Sequence, residues 1–230
     1  MTKGKLYVVA TPIGNLEDMT YRAVSVLKEV AFVLAEDTRE SKKLLNRYEI
    51  DTQLISYRDQ NHGRMMEKIL EKLNMGLSLA LVSDCGTPLI SDPGFKLVRD
   101  LRELGYVIES IPGPSAVTAA MSIAGLATDK FMFVGFLPKS ESKREKLLQK
   151  FGEMKSTLVI YESPHRLIKL LKEIQNVLGE RRLSISKDLT KRREENFFGT
   201  SSDILEELSE RDFEKNPHGE FVVMVEGLEK

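Results

Sequence analysis

The feature that most limits what this chain can fold into is its rhythm. Runs that are apolar on consecutive residues recur through the first half: KLYVVA, FVLAED, QLISY, SLALVSD and YVIESI. Helix-like stretches stand between them, over 21–30, 40–48, 65–75 and 95–104. In the third of these, Met65, Met66, Ile69, Leu70 and Leu73 fall on one face at 3/4 spacing. A strand that is apolar on successive residues is buried on both faces. That argues for an α/β fold, with a mostly parallel sheet and helices on either side.

The segment IPGPS breaks the rhythm. Pro112 and Pro114 cannot donate to a sheet ladder, and Gly113 permits a sharp turn. The expected boundary therefore lies here, with an N-terminal α/β domain over 1–113 and a C-terminal one over 114–230. Ser115 then suits the N-cap of a small-residue helix, AVTAAMSIAG. The second half is richer in strands: KFMFVGF, STLVIYES, RLSISKD, ENFFGT and GEFVVMVEG. Its helices are SKREKLLQKFGEM, HRLIKLLKEIQNVLG and SDILEELSE. Leu167, Leu171, Ile174 and Leu178 form one stripe that Gly179 ends as a C-terminal cap. A second layered α/β unit with a mixed sheet is expected.

Open α/β sheets bind ligands at the carboxyl ends of their strands. Four strands stop abruptly at polar or turn-forming residues: VVATPIGN, VLAEDTR, LVSDCGTP and VIYESPHR. Asp84 can accept hydrogen bonds from a hydroxyl or ammonium group, and Gly86 and Pro88 shape the backbone around it. Asp92 is read as the cap of the helix at Phe95. Neither G-x-G-x-x-G nor G-x-x-x-x-G-K-[ST] occurs, which argues against a dinucleotide or P-loop site. His62, His165 and His218 lie far apart and are expected at the surface or at caps. With Cys85 the lone thiol, no metal site and no internal disulfide are expected. That cysteine usage, the absence of a signal-peptide layout and the lack of a membrane-length apolar run point to the cytoplasm. With 34 basic and 35 acidic residues the net charge is -1, so any nucleic-acid contact must be local.

Taken in order, TPIGN, AEDTR, LALVSDCGTPLISDPGFKLV, IPGPSAVTAAMSIAGL, FVGFLPK, LVIYESPHRL and GEFVVMVEG resemble a family of small-subunit ribosomal RNA methyltransferases within the tetrapyrrole methylase superfamily. The resemblance runs from the first strand to the last. It implies two α/β domains with S-adenosylmethionine in the cleft between them, and a homodimer. It also implies methylation of the ribose 2′-hydroxyl of a cytidine in the decoding region of 16S rRNA, within the small ribosomal subunit. The cofactor residues it implies are Pro12, Asp84, Thr87, Ser115 and Ala116, with Tyr161, Leu189 and Gly219 from the second domain. Cys85 stands where many relatives carry alanine, and is read as a tolerated small residue. Some relatives extend further at the C-terminus, so RNA contacts supplied there are expected to be missing.

A ribose hydroxyl is a weak acid, so a base or a stabilised alkoxide would help its transfer chemistry. Glu36 or Asp37 is expected to aid deprotonation or to orient the ribose, while Arg39 and Lys191 bind phosphates. The competing reading makes Asp37 the cap of the helix near Arg39. Two basic stretches are candidate RNA contacts. One holds Lys139, Lys143, Arg144, Lys146 and Lys150, and the other is KDLTKRR. No aromatic platform interleaved with basic residues is evident. The alternatives are a porphyrin-precursor C-methylase, a diphthine synthase-like protein methylase, and a non-catalytic ribosome assembly factor.

Overall fold

The computed structural model describes residues 2–228. The chain divides into two compact units, Met1–Ser115 and Ala116–Lys230, so the break falls after Ser115 rather than after Gly113.

The first unit alternates strand and helix throughout. Its strands are β1 (Leu6–Val9), β2 (Phe32–Ala35), β3 (Gln53–Ser56), β4 (Leu79–Val82) and β5 (Ile108–Ile111). Its helices are α1 (Tyr21–Glu29), α2 (Thr38–Arg47), α3 (His62–Asn74) and α4 (Phe95–Glu103). All pairings are parallel, in the order β3-β2-β4-β1-β5. Central β4, with sequence LALV, shows why its residues are apolar in succession. Ala80 and Val82 join the core under α1 and α2, while Leu79 and Leu81 join the core under α3 and α4. Fully burying one such leucine contributes about 1.5–3 kcal/mol. Helix α1 begins at Thr20, whose side chain accepts from the Ala23 amide at 3.1 Å. Helix α3 begins at His62, ahead of its apolar stripe, of which Met65, Ile69 and Leu73 are buried.

The strand order positions a site. The crossover from β2 runs outward to β3, and the crossover from β4 runs the other way to β5. The adjacent carboxyl ends of β2 and β4 therefore flank a crevice from which the chain departs in opposite directions.

The second unit opens with α5 (Ala116–Ile123). Its strands are β6 (Phe131–Phe136), β7 (Thr157–Glu162), β8 (Arg182–Lys187), β9 (Glu195–Thr200) and β10 (Phe221–Val225). Helices α6 (Glu141–Gly152), α7 (Pro164–Leu178) and α8 (Ser201–Glu210) complete it. The sheet is mixed, in the order β6-β7-β10-β8-β9, with β6 and β7 parallel and the other pairs antiparallel. One face packs under α6, α7 and α8 through Leu148, Leu167, Leu171, Ile174, Ile204 and Leu208. Helix α5 lies against β10. Gly179 ends α7 at φ 73°, a conformation that glycine adopts without steric cost.

Between α6 and α7 lies a buried ion pair. Arg144 donates through Nε and Nη2 to Glu173 at 2.7 and 2.5 Å, and through Nη1 to the carbonyls of Pro138 and Lys139. Both side chains are almost fully buried. Arg144 is therefore a structural cation and not part of an RNA-facing stretch. Lys187 is likewise buried, with Nζ 2.6 Å from Glu195 Oε2.

Candidate functional site

At the crevice of the first unit, Glu36 and Asp37 follow β2, and Ser83 and Asp84 follow β4. The Asp37 amide donates to Asp84 Oδ1 at 3.0 Å, so the two strand ends are joined by the side chain of an exposed aspartate. Asp84 Oδ2 has no partner among the described residues and remains available to a ligand.

Two further segments are drawn to the same strand ends. Thr11 and Gly86 form an isolated antiparallel bridge, with N–H···O distances of 2.9 and 3.0 Å. This sets buried Pro12 beside the loop after β4. Thr87 Oγ1 donates to the Pro114 carbonyl at 3.0 Å, which ties that loop to the segment ending at Ser115. Pro12, Asp84, Thr87 and Ser115 thus belong to one connected set of turns. The loop after β4 takes positive φ at Gly86, Leu89, Ser91 and Gly94. Positive φ at a leucine is costly, and it persists where surrounding contacts over-determine the loop.

The carboxylates here differ in kind. Asp37 caps α2, accepting from the Arg39 amide at 2.9 Å, and also holds the Arg39 guanidinium at 3.1 and 2.6 Å. Those bonds hold its carboxyl well below the ordinary range, so Asp37 is a poor base. Glu36 is shifted the other way. Burial raises it, the neighbouring Asp84 charge adds to that, and Arg58 opposes it. Asp92 is pushed up to about 6, mainly by burial, with the nearby Glu36 and Asp84 charges adding to it.

Asp92 is therefore not the cap of α4. Gly94 occupies that position at φ 126°, with no side-chain cap bond. A side chain at Gly94 would strike Leu81 Cδ2 at 2.7 Å. His62 is also no surface or capping residue. Its Nδ1 lies 2.9 Å from the Tyr57 hydroxyl and its Nε2 2.8 Å from Asp100 Oδ2, bridging the end of β3 to α4. The loop between them carries Arg58 and Asp59, which sequence reasoning missed. Arg58 Nε donates to the Glu36 carbonyl at 3.1 Å, and Asp59 Oδ1 accepts from the Gly94 amide at 3.2 Å. ISYRDQ lacks the glycine and proline that marked the other strand ends, so nothing local drew attention to it.

In the second unit Tyr161, Leu189 and Gly219 lie at one end of the sheet. Tyr161 pairs with Val222 near the end of β7, buried Leu189 follows β8, and Gly219 precedes β10. Gly219 has φ 104°, and a Cβ there would lie 2.9 Å from Lys187 Cε and 3.0 Å from Asp188 Oδ2. Asp188 and Thr190 also take positive φ. Four of the six non-glycine residues with positive φ among the described residues therefore sit in the loops after β4 and β8. Lys191 Nζ pairs with Asp188 at 3.0 Å and Glu220 at 2.8 Å. Burial pulls its pKa down, but those two bonds outweigh burial and the net shift is upward. Ala116 is the first residue of α5. In ESPHR, Glu162 Oε1 accepts from the Ser163 amide at 2.7 Å, and burial raises its carboxyl.

Among the described residues no group of three or more His, Cys, Asp or Glu side chains is placed to hold a metal ion. No described helix is long and apolar enough to cross a membrane.

A five-stranded parallel sheet with a polar strand-end crevice, followed by a mixed sheet whose loops are held in strained conformations, places the chain in a known group. The chain belongs to the tetrapyrrole (corrin/porphyrin) methylase family, whose model matches residues 5–211. Within that family its curated relatives are more specific. It is 46% identical to ribosomal RNA small subunit methyltransferase I of Halalkalibacterium halodurans, over 98% of this chain and 76% of that one. It is 41% identical to the protein of the same name from Thermotoga maritima, over 98% of this chain and 100% of that one. Among solved structures, a cobalamin-biosynthetic cobalt precorrin-4 methyltransferase matches 96% of this chain and 94% of its own at TM-score 0.70 and 18% identity. A diphthine synthase matches 96% of this chain and 89% of its own at TM-score 0.71 and 12% identity. At those identities the structural likeness concerns the fold.

Proposed function

We propose that this chain transfers the methyl group of S-adenosylmethionine to the ribose 2′-hydroxyl of a cytidine in the decoding region of 16S rRNA. The observation that carries the reading is the 41–46% identity, over nearly the whole chain, to proteins named ribosomal RNA small subunit methyltransferase I. The reading includes a homodimer working in the cytoplasm on the small ribosomal subunit, as the family resemblance implies.

The residues present fit this cofactor. It carries a sulfonium, an ammonium and a ribose diol, all of which favour anionic acceptors. Asp84 offers an uncommitted carboxylate oxygen, backed by the charges of Glu36 and Asp92. In this reading Pro12, Asp84, Thr87, Ser115 and Ala116 hold the cofactor, with Tyr161, Leu189 and Gly219 supplying the contacts from the second unit. When bound, S-adenosylmethionine supplies an electrophilic methyl group on sulfur. Glu36 is the base: its carboxylate accepts the proton of the ribose hydroxyl, and the upward shift that burial gives its pKa makes it a stronger base than an ordinary carboxylate. Asp37 keeps Arg39 in place as an ionised cap.

The test offers purified protein unmodified small subunits with tritiated S-adenosylmethionine, in parallel with uroporphyrinogen. Label on a cytidine ribose supports the reading. Label on the porphyrin precursor moves the chain to another branch of the family, and failure to bind the cofactor by calorimetry leaves an assembly factor. Glu36→Gln is expected to lower kcat about 10²–10⁴-fold with cofactor affinity retained. Because the base must be ionised, activity is expected to fall as pH drops through the raised Glu36 pKa. Unchanged kcat in Glu36→Gln removes Glu36 as the base.

A further inference from the structure

The strand-end crevice holds an unresolved conflict of charge. Glu36, Asp37, Asp59, Asp84 and Asp92 gather at the ends of β2, β3 and β4, which suits a cationic cofactor and repels a polyanionic substrate. A cation at the rim is required if RNA is to approach. Arg39 is poorly placed for that role, because Nε and Nη2 are both taken by Asp37. Arg58 is not so committed. Its Nε donates to the Glu36 carbonyl at 3.1 Å, and its two terminal nitrogens have no partner among the described residues.

The backbone that carries Arg58 is held firmly. The Tyr57 amide donates to the Ala35 carbonyl at 2.9 Å. The Arg58 amide donates to Asn61 Oδ1 at 3.0 Å, and the Asn61 amide returns a bond to the Arg58 carbonyl at 3.0 Å. Asp59 is fixed on the Gly94 amide, and His62 joins Tyr57 to Asp100. The side chain itself is exposed. A guanidinium oriented through Nε, with both Nη groups open on a rigid loop, matches two oxygens of a phosphate at low ordering cost.

The geometry points to Arg58 as a binding residue for a backbone phosphate of the RNA substrate, at the rim of the crevice between β2 and β4. This rests on the reading of the chain as an RNA methyltransferase. The other anion within the same chemistry is the carboxylate of the cofactor. The RNA is favoured because Arg58 lies in the loop just past the end of edge strand β3, exposed, and beside the carboxylates that would otherwise repel a phosphate.

The experiment compares Arg58→Ala and Arg58→Lys with the unaltered full chain. Methyl transfer is measured against small-subunit concentration at several potassium chloride concentrations, and S-adenosylmethionine binding is measured by calorimetry. Arg58→Ala is expected to raise KM for the subunit about tenfold or more. It should reduce the salt slope of kcat/KM by about 1. Measured at a pH well above the Glu36 pKa, where the base is ionised with or without Arg58, the kcat at saturating subunit and the cofactor Kd should stay within about twofold. Arg58→Lys should restore the salt slope and part of the KM, since charge returns without the fork. An unchanged KM and salt slope overturns the inference. So does weakened cofactor binding with KM for the subunit intact, which would assign the guanidinium to the cofactor carboxylate. If the unaltered chain transfers no methyl to the subunit, the parent reading falls and this inference falls with it. Transfer that is insensitive to Arg58 removes this inference alone.

Discussion

The two units differ in what becomes of several of their charged residues. In the second, cations are consumed by partners: Arg144 by Glu173, Lys187 by Glu195, and Lys191 by Asp188 and Glu220. In the first, the strand ends leave polar atoms without partners among the described residues, notably Asp84 Oδ2 and the terminal nitrogens of Arg58. Topology accounts for part of this contrast. In the first unit every strand is parallel, so all five carboxyl ends face one way and their loops converge. In the second unit antiparallel β10 lies between β7 and β8, and its amino end closes in beside their carboxyl ends. Acidic and basic residues then come within pairing distance at the sheet end. Parallel strand ends thus leave charged atoms open where the antiparallel sheet end pairs them.

The comparison breaks most visibly if a consumed charge proves dispensable. Arg144→Ala leaves Glu173 buried without its partner, and is expected to cost about 3–5 kcal/mol of stability. Urea unfolding checks this, and a loss below about 1 kcal/mol would mean that the pair is not structural. At the open end, Asp84→Asn keeps an acceptor for the Asp37 amide and removes the charge. Cofactor affinity is expected to weaken roughly 10–100-fold with little change in melting temperature. Unaltered binding in calorimetry would place the cofactor elsewhere.

A smaller effect sharpens the electrostatic account. Asp92 has a folded pKa of about 6, raised above the usual carboxylate value. The folded state therefore holds this proton more tightly than the unfolded chain does. Its contribution to stability declines as pH rises from about 4 to 6 and is flat above that. Asp92→Asn removes the half-buried charge, and is expected to stabilise the protein by about 1–2 kcal/mol at pH 8, after allowing for its exposure, with the difference vanishing below about pH 4. Thermal melts across pH test the sign. The smallest change is expected on α6, where Lys143 and Lys146 are exposed. Replacing each with glutamine should reduce the salt slope of subunit methylation by about 1 at most. A larger loss would mean that RNA is held mainly by the second unit.

Much of this molecule follows from local pattern alone. Consecutive apolar residues in LALV require burial on both faces, whatever lies around them. Gly179 ends α7 because the positive φ there suits glycine. The segments TPIGN, SDCGTP and PGPS announce themselves through glycine, proline and aspartate, whose turn chemistry is intrinsic. Helix α3 starts earlier than its stripe because a polar first turn beginning at His62 leaves no apolar signal.

What the tertiary structure decided involves partners that are remote along the chain. Asp84 meets the amide of Asp37, Arg144 meets Glu173, and Arg58 meets the carbonyl of Glu36. A charged side chain has the same identity whether it is solvated, paired or left waiting for a ligand. Its energy depends on the dielectric and the neighbours that folding assembles, so composition and spacing could nominate the carboxylates but not separate the helix cap with a lowered pKa from the partly buried carboxyls with raised ones.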